Sequence, residues 1–139
     1  MGTINTGKVI VGGLVAGVVI NISEFILYMA VLGRDMEAAI TRMNLSPIGG
    51  MANATFVVSG FVLGIAVIWL YAAIRPRFGP GPRTALCAGA AVWLFAYLYP
   101  TVGMVAMGMF SAGSMAVALV WGLVELLVAA AAGAALYKE

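Results

Sequence analysis

The stretch KVIVGGLVAGVVINISEFILYMAVL, residues 8–32, carries one ionisable side chain beyond its first residue, Glu24, and no proline. As a helix rising about 1.5 Å per residue it would cover ~37 Å, more than the ~30 Å hydrocarbon core of a bilayer. Three further runs share this character, residues 48–74, 84–109 and 113–137. The charges fall between the runs: Lys8; Arg34, Asp35, Glu37 and Arg42; Arg75, Arg77 and Arg83; Lys138 and Glu139. Only Glu24 and Glu125 interrupt the apolar runs. With 64% hydrophobic and 9% charged residues and a mean hydropathy of +1.11, the chain has more apolar surface than a water-soluble core can hide. The expected fold is all-α and integral to a membrane: a four-helix transmembrane bundle forming one domain over residues 1–139.

The charge pattern predicts an orientation. Lys8, Arg75, Arg77, Arg83 and Lys138 share one side of a four-span chain, whereas Arg34 and Arg42 on the other side are accompanied by Asp35 and Glu37. The positive-inside rule then puts both termini in the cytoplasm and the protein in the inner (cytoplasmic) membrane as a multi-pass chain. The formal charge of +2 is spread over span ends, so the partners to expect are membrane lipids and not nucleic acid. Cys87 is the single cysteine, excluding a disulfide within the chain, and its place near the inner end of the third run suggests a buried small residue. There is no histidine. No phosphate loop, nucleophile–base pair or dinucleotide fingerprint is present, so neither a cofactor nor an enzymatic reaction is expected.

Between the runs, Met36, Ala39, Ile40 and Met43 recur at the spacing of an amphipathic turn, which predicts a short interfacial helix over residues 34–45 in the first outer loop, with Gly33 ending the first span. Ser46 and Pro47 read as the cap and first residue of the second span. Residues 75–83 hold three of the five prolines and read as a stiff basic connector that no helix continues through, preceded by Trp69 and Tyr71 at aromatic-belt depth. Gly13-x-x-x-Gly17 and Gly60-x-x-x-Gly64 mark surfaces where backbones approach, because small residues replace the hydrophobic force that lipid cannot provide between helices. Such faces serve packing within one bundle or the seam of a homo-oligomer or larger membrane complex.

Counting residues, Glu24 lies roughly 13 Å and Glu125 roughly 18 Å inside the outer ends of their spans. Asn21 precedes Glu24 by one turn, Trp121 precedes Glu125 by one turn, and Ser59, Tyr97, Pro100 and Thr101 reach similar depth from the other two spans. No lysine or arginine does, so at least one of the carboxyls is expected to be protonated, the two sharing a proton as a coupled pair. A carboxyl at this depth costs at least ~2.5 kcal/mol on insertion scales, which marks the pair as a candidate proton, cation or ligand site made of Glu24, Glu125, Asn21, Ser59, Tyr97, Thr101 and Trp121. Three functions fit: proton- or cation-linked transport of a small solute through the bundle, an accessory subunit fastened by interhelical hydrogen bonds, and a binder of lipid or another hydrophobic ligand.

Four short spans with a glutamate in the first resemble, in outline, the small multidrug resistance transporters. Glu125 in the last span and the basic excess on one side depart from that pattern, so the resemblance carries architecture only. Methionine is also asymmetric. Apart from Met1, all lie in the outer half or the outer loops, and Met104, Met107 and Met109 have a thioether density that could hold a soft monovalent metal, although methionine is equally a flexible packing residue.

Overall fold

The structure, a computed structural model, describes residues 2–138; Met1 and the terminal charge at Glu139 lie outside the described residues. The elements are α1 (Thr6–Leu27), a π-helical stretch (Tyr28–Leu32), α2 (Gly33–Arg42), α3 (Gly50–Phe78), α4 (Pro82–Trp93), a second π-helical stretch (Leu94–Leu98), α5 (Tyr99–Ala106) and α6 (Ala112–Leu136). They make four continuous rods, Thr6–Arg42, Gly50–Phe78, Pro82–Ala106 and Ala112–Leu136, each long and apolar enough to cross a membrane. No strand occurs among the described residues. The rods form a ring in chain order: α1 packs on α3, α3 on α4, α4 on α6, and α6 back on α1.

Local chemistry sets most of the boundaries. The side chain of Asn5 accepts a hydrogen bond from Lys8 N at 3.0 Å and that of Ser111 from Ser114 N at 3.2 Å, satisfying orphan donors at the starts of α1 and α6. Pro82, which has no N–H to lose, opens α4. Asn44 (φ 56°) and Gly108 (φ 72°) stop α2 and α5 by turning left-handed, so that Leu45 N bonds Ile40 O and Met109 N bonds Met104 O, both at 3.0 Å.

Several details differ from the sequence reading. Gly33 does not end the first rod: the π stretch adds one residue to a turn and the chain runs on to Arg42, so the predicted interfacial helix is a continuation of the first span. The second span begins at Gly50, not at Ser46 and Pro47, because the weak helix formers Gly49 and Gly50 follow too closely for a turn to nucleate before them. At its far end α3 continues through Pro76 to Phe78; a proline in the last turn costs little helix beyond it, and Gly79 N closes the end on Arg75 O at 2.8 Å. Cys87 is exposed, since Ala85, Ala88 and Gly89 form the buried face of α4.

Packing is uneven along the bundle. At the end carrying both chain termini and the turn at residues 79–81, which we call the inner end, Val9, Ala16, Ile20, Val67, Ile68, Ala72, Ala85, Ala88, Leu126, Ala129, Ala130 and Ala134 form a single core. The backbones there nearly touch. A Cβ on Gly12 would lie 2.6 Å from Gly133 O, and one on Gly133 would lie 2.5 Å from Gly12 O. Likewise, Cβ atoms on Gly13 and Gly17 would strike Ile65 and Phe61, and one on Gly64 would meet Gly17 N at 2.5 Å. Tyr71 is buried at this end, not placed in an outward belt: its ring meets Tyr137 edge-on at 6.0 Å, and its hydroxyl accepts from Gly81 N. The Tyr137 hydroxyl receives Asn5 N at 3.0 Å, Arg75 stacks over its ring at 5.6 Å, and the Lys8 ammonium meets the Lys138 carbonyl. The two termini and the middle turn are thereby clasped together.

The outer half is looser. From Gly50 to Ser59 α3 buries no residue, α5 buries only Thr101, and α6 buries only Met115 before Gly122. The tight half stops at Ile20, Gly60 and Gly122, and there the polar side chains begin.

Candidate functional site

Glu125 is 4% exposed, on the face of α6 that also buries Gly122, Leu126 and Ala129. Its Oε1 accepts a hydrogen bond of 2.7 Å from the Tyr97 hydroxyl. Tyr97 reaches it because of Pro100. Proline lacks the N–H that would bond Ala96 O and its ring crowds that carbonyl, so the preceding turn widens to π geometry, with Tyr99 N–H returning to Leu94 O. The aromatic ring then lies over Gly122, where a Cβ would sit 2.6 Å from Tyr97 Cε2, so no larger residue fits beneath it.

Glu24 comes from α1, one turn before the first π stretch, and is exposed at the edge of the loose half. It lies close enough to Glu125 for the two carboxyls to act on each other directly, with Ser23 beside them. The second oxygen of Glu125, Oε2, is buried and meets no donor in hydrogen-bonding geometry. None of the chain's lysines or arginines lies near this level: Arg34 is the nearest along the chain to Glu24 and Lys138 to Glu125. A buried carboxylate oxygen without a donor in hydrogen-bonding geometry, beside Ser23 and a second carboxyl, is one that a proton or an external cation would satisfy.

Two successive turns of α6 gather the neighbouring rods. Trp121 Nε1 donates to Ser23 Oγ on α1 at 2.8 Å, Trp93 Nε1 on α4 donates to Leu119 O at 2.9 Å, and Tyr97 supplies the third link. Beside them a groove of about 620 Å³ opens to the outside of the bundle, lined by Ser23, Trp121, Glu125 and the valines Val117, Val120 and Val124 among others.

The residues proposed from sequence are thus divided. Glu24, Glu125, Tyr97 and Trp121 come together. Asn21 does not join them: its amide donates to Gly17 O (3.0 Å) and Val57 O (3.2 Å), so it seals the seam between α1 and α3 over Gly60. Ser59 is exposed and Thr101 is buried, and neither hydrogen-bonds to the carboxyls. Of the three methionines, Met107 is 78% exposed and Met104 and Met109 are half-buried, and the carbonyls of Gly108 and Met109 accept from Arg42. Ser23 was not singled out by the sequence reading. The signal was present, because it continues the buried stripe Gly12, Ala16, Ile20 and Leu27 of α1 at three- and four-residue steps.

No family model, no curated protein and no solved structure matches this chain.

Proposed function

We propose that the chain is a four-span integral membrane protein that moves a small solute by loading and unloading a proton or cation at Glu24 and Glu125. Membrane insertion is supported by what the helices leave outside. Only 22 to 33% of each apolar window is buried, and side chains such as Phe25, Met51, Phe56, Phe95 and Tyr99 stand outward. Surfaces of that kind are at rest in hydrocarbon and would aggregate in water. The inner end carries Lys8, Arg75, Arg77, Arg83 and Lys138, which supports an orientation with that end in the cytoplasm of an inner membrane.

The observation that carries the functional reading is the position of the carboxyl pair, at the boundary between a half sealed by backbone-to-backbone packing and a half that is loosely packed. A bundle fastened for strength alone has no need of an unpaired buried carboxylate oxygen at that boundary, whereas a site that alternates between charged and neutral forms does. The uncovered outer half of α3, from Gly50 to Ser59, supports a second reading, an accessory subunit whose partner covers that helix.

The test is flux. In liposomes carrying a pH gradient, the purified protein is expected to move protons or a monovalent cation. Glu24→Gln keeps size and hydrogen bonding but cannot exchange a proton, so it should assemble normally and lose pH-dependent flux. Absence of flux from the unaltered protein, with the Gln variant indistinguishable, would leave the accessory reading standing.

A further inference from the structure

We propose that α2 is an outer strap, clipped at both its ends onto the turn between α5 and α6, and that unclipping it widens the way to Glu24 and Glu125. The clip is electrostatic. At the start of α2, Asp35 Oδ2 receives the Ser114 hydroxyl at 2.6 Å, and Ser114 in turn receives the Ser111 hydroxyl at 2.9 Å, so the carboxylate sits on the positive N-terminal turn of α6. At the other end Arg42 Nη2 donates to Met109 O at 2.7 Å and Gly108 O at 3.3 Å, carbonyls of the turn that follows α5. Two of the four charges of α2, Asp35 and Arg42, thus find opposite partial charges at opposite ends of one backbone turn. Between them a cleft of about 370 Å³, lined by Leu32, Met36, Ala39, Phe110 and Met115 among others, remains unfilled, so α2 is held mainly at its ends.

The hinge is equally specific. Leu32, the last residue of the π stretch, is shifted from ideal helical angles (φ −103°, ψ −6°), and the π stretch begins four residues after Glu24. Tyr28 within that stretch donates to Glu37 on α2 at 3.4 Å, so swinging α2 changes the contacts of the turn next to Glu24. A strap with few apolar contacts, exposed polar clips and a π turn at its root belongs to the low-stability end of a structure, from which moving parts are drawn.

Distances between spin labels test this, with Leu45→Cys and Val102→Cys reporting the outer end and Phe78→Cys and Leu136→Cys the inner end, all in a Cys87→Ser background. With the clips intact the outer pair should give one narrow distribution. Asp35→Asn together with Arg42→Gln should raise a longer-distance population roughly tenfold, the equivalent of about 1.4 kcal/mol, and leave the inner pair unchanged. High salt applied to the protein with both charges present should act in the same direction, because exposed charges are screened as the Debye length falls from ~10 Å to ~3 Å. An outer distribution insensitive to both treatments, or an inner pair that broadens equally, would overturn the strap. Its role in access rests on the proposed transport site and is read separately: modification of Glu24 by a carbodiimide should quicken by a similar factor in the unclipped variant. Unchanged modification despite lengthened distances would overturn the link to the site, while a strap that opens in a protein without flux would count against transport and not against the strap.

Discussion

Gly64→Val is expected to unfold the inner half of the bundle, costing about 3 kcal/mol or more, because over-packing a close-packed interior forces backbone shifts that the interior cannot absorb. The reason is local. A Cβ at position 64 would come within 2.5 Å of Gly17 N and 2.9 Å of Gly17 Cα, and backbone atoms cannot rotate away as a flexible side chain can. Moving α3 off α1 to make room would also pull Ile65 from Gly13 and Phe61 from Gly17. Gly103→Val is the control, since nothing lies within 4 Å of the Cβ it adds. Thermal or denaturant unfolding in detergent should separate the two variants clearly. Equal stability would mean that the seam between α1 and α3 is not the tight contact described.

Glu125→Ala is the second large effect, and it acts on two quantities. Removing the acceptor leaves the Tyr97 hydroxyl without a partner in apolar surroundings, a loss of about 1–3 kcal/mol. Glu125→Gln keeps an acceptor and should cost far less. Replacing both members, Tyr97→Phe with Glu125→Leu, should recover much of the stability lost by Ala, because no unpaired polar group remains. Flux should be lost in all three. If Glu125→Gln retained pH-dependent flux while losing stability, the carboxyl would be a fastening group and the transport reading would fail.

The rods were legible because a run such as residues 84–109 can satisfy its backbone in hydrocarbon only as a helix. The glycine and alanine stripes were legible for a related reason, small residues being what allows helices to meet closely in lipid. Boundaries were harder. The π turns before Gly33 and around Tyr97 are changes of register by one residue, and only Pro100 announces one of them; nothing in residues 28–32 distinguishes a π turn from an α turn. Asn21 shows the limit for the site. Its depth in the sequence is right, but position on the helix circumference sends it to α3 and sends Ser23, its near neighbour, to Trp121. The Asp35 and Arg42 clips depend on where the turn between α5 and α6 lies in space, and sequence spacing within α2 reveals only that the signs suit a helix's own ends.

The central claim is that Glu24 stands on the outer side of a seal. It is tested most directly by Glu24→Cys in a Cys87→Ser background, reconstituted in sealed vesicles of known orientation and exposed to a membrane-impermeant thiol reagent from one face at a time. Ala16→Cys, within the core, is the companion. The cysteine at position 24 should react only from the face bearing Arg42, and the one at position 16 from neither. Labelling of position 24 from the face bearing Arg77, or labelling of position 16 at a comparable rate, would contradict it.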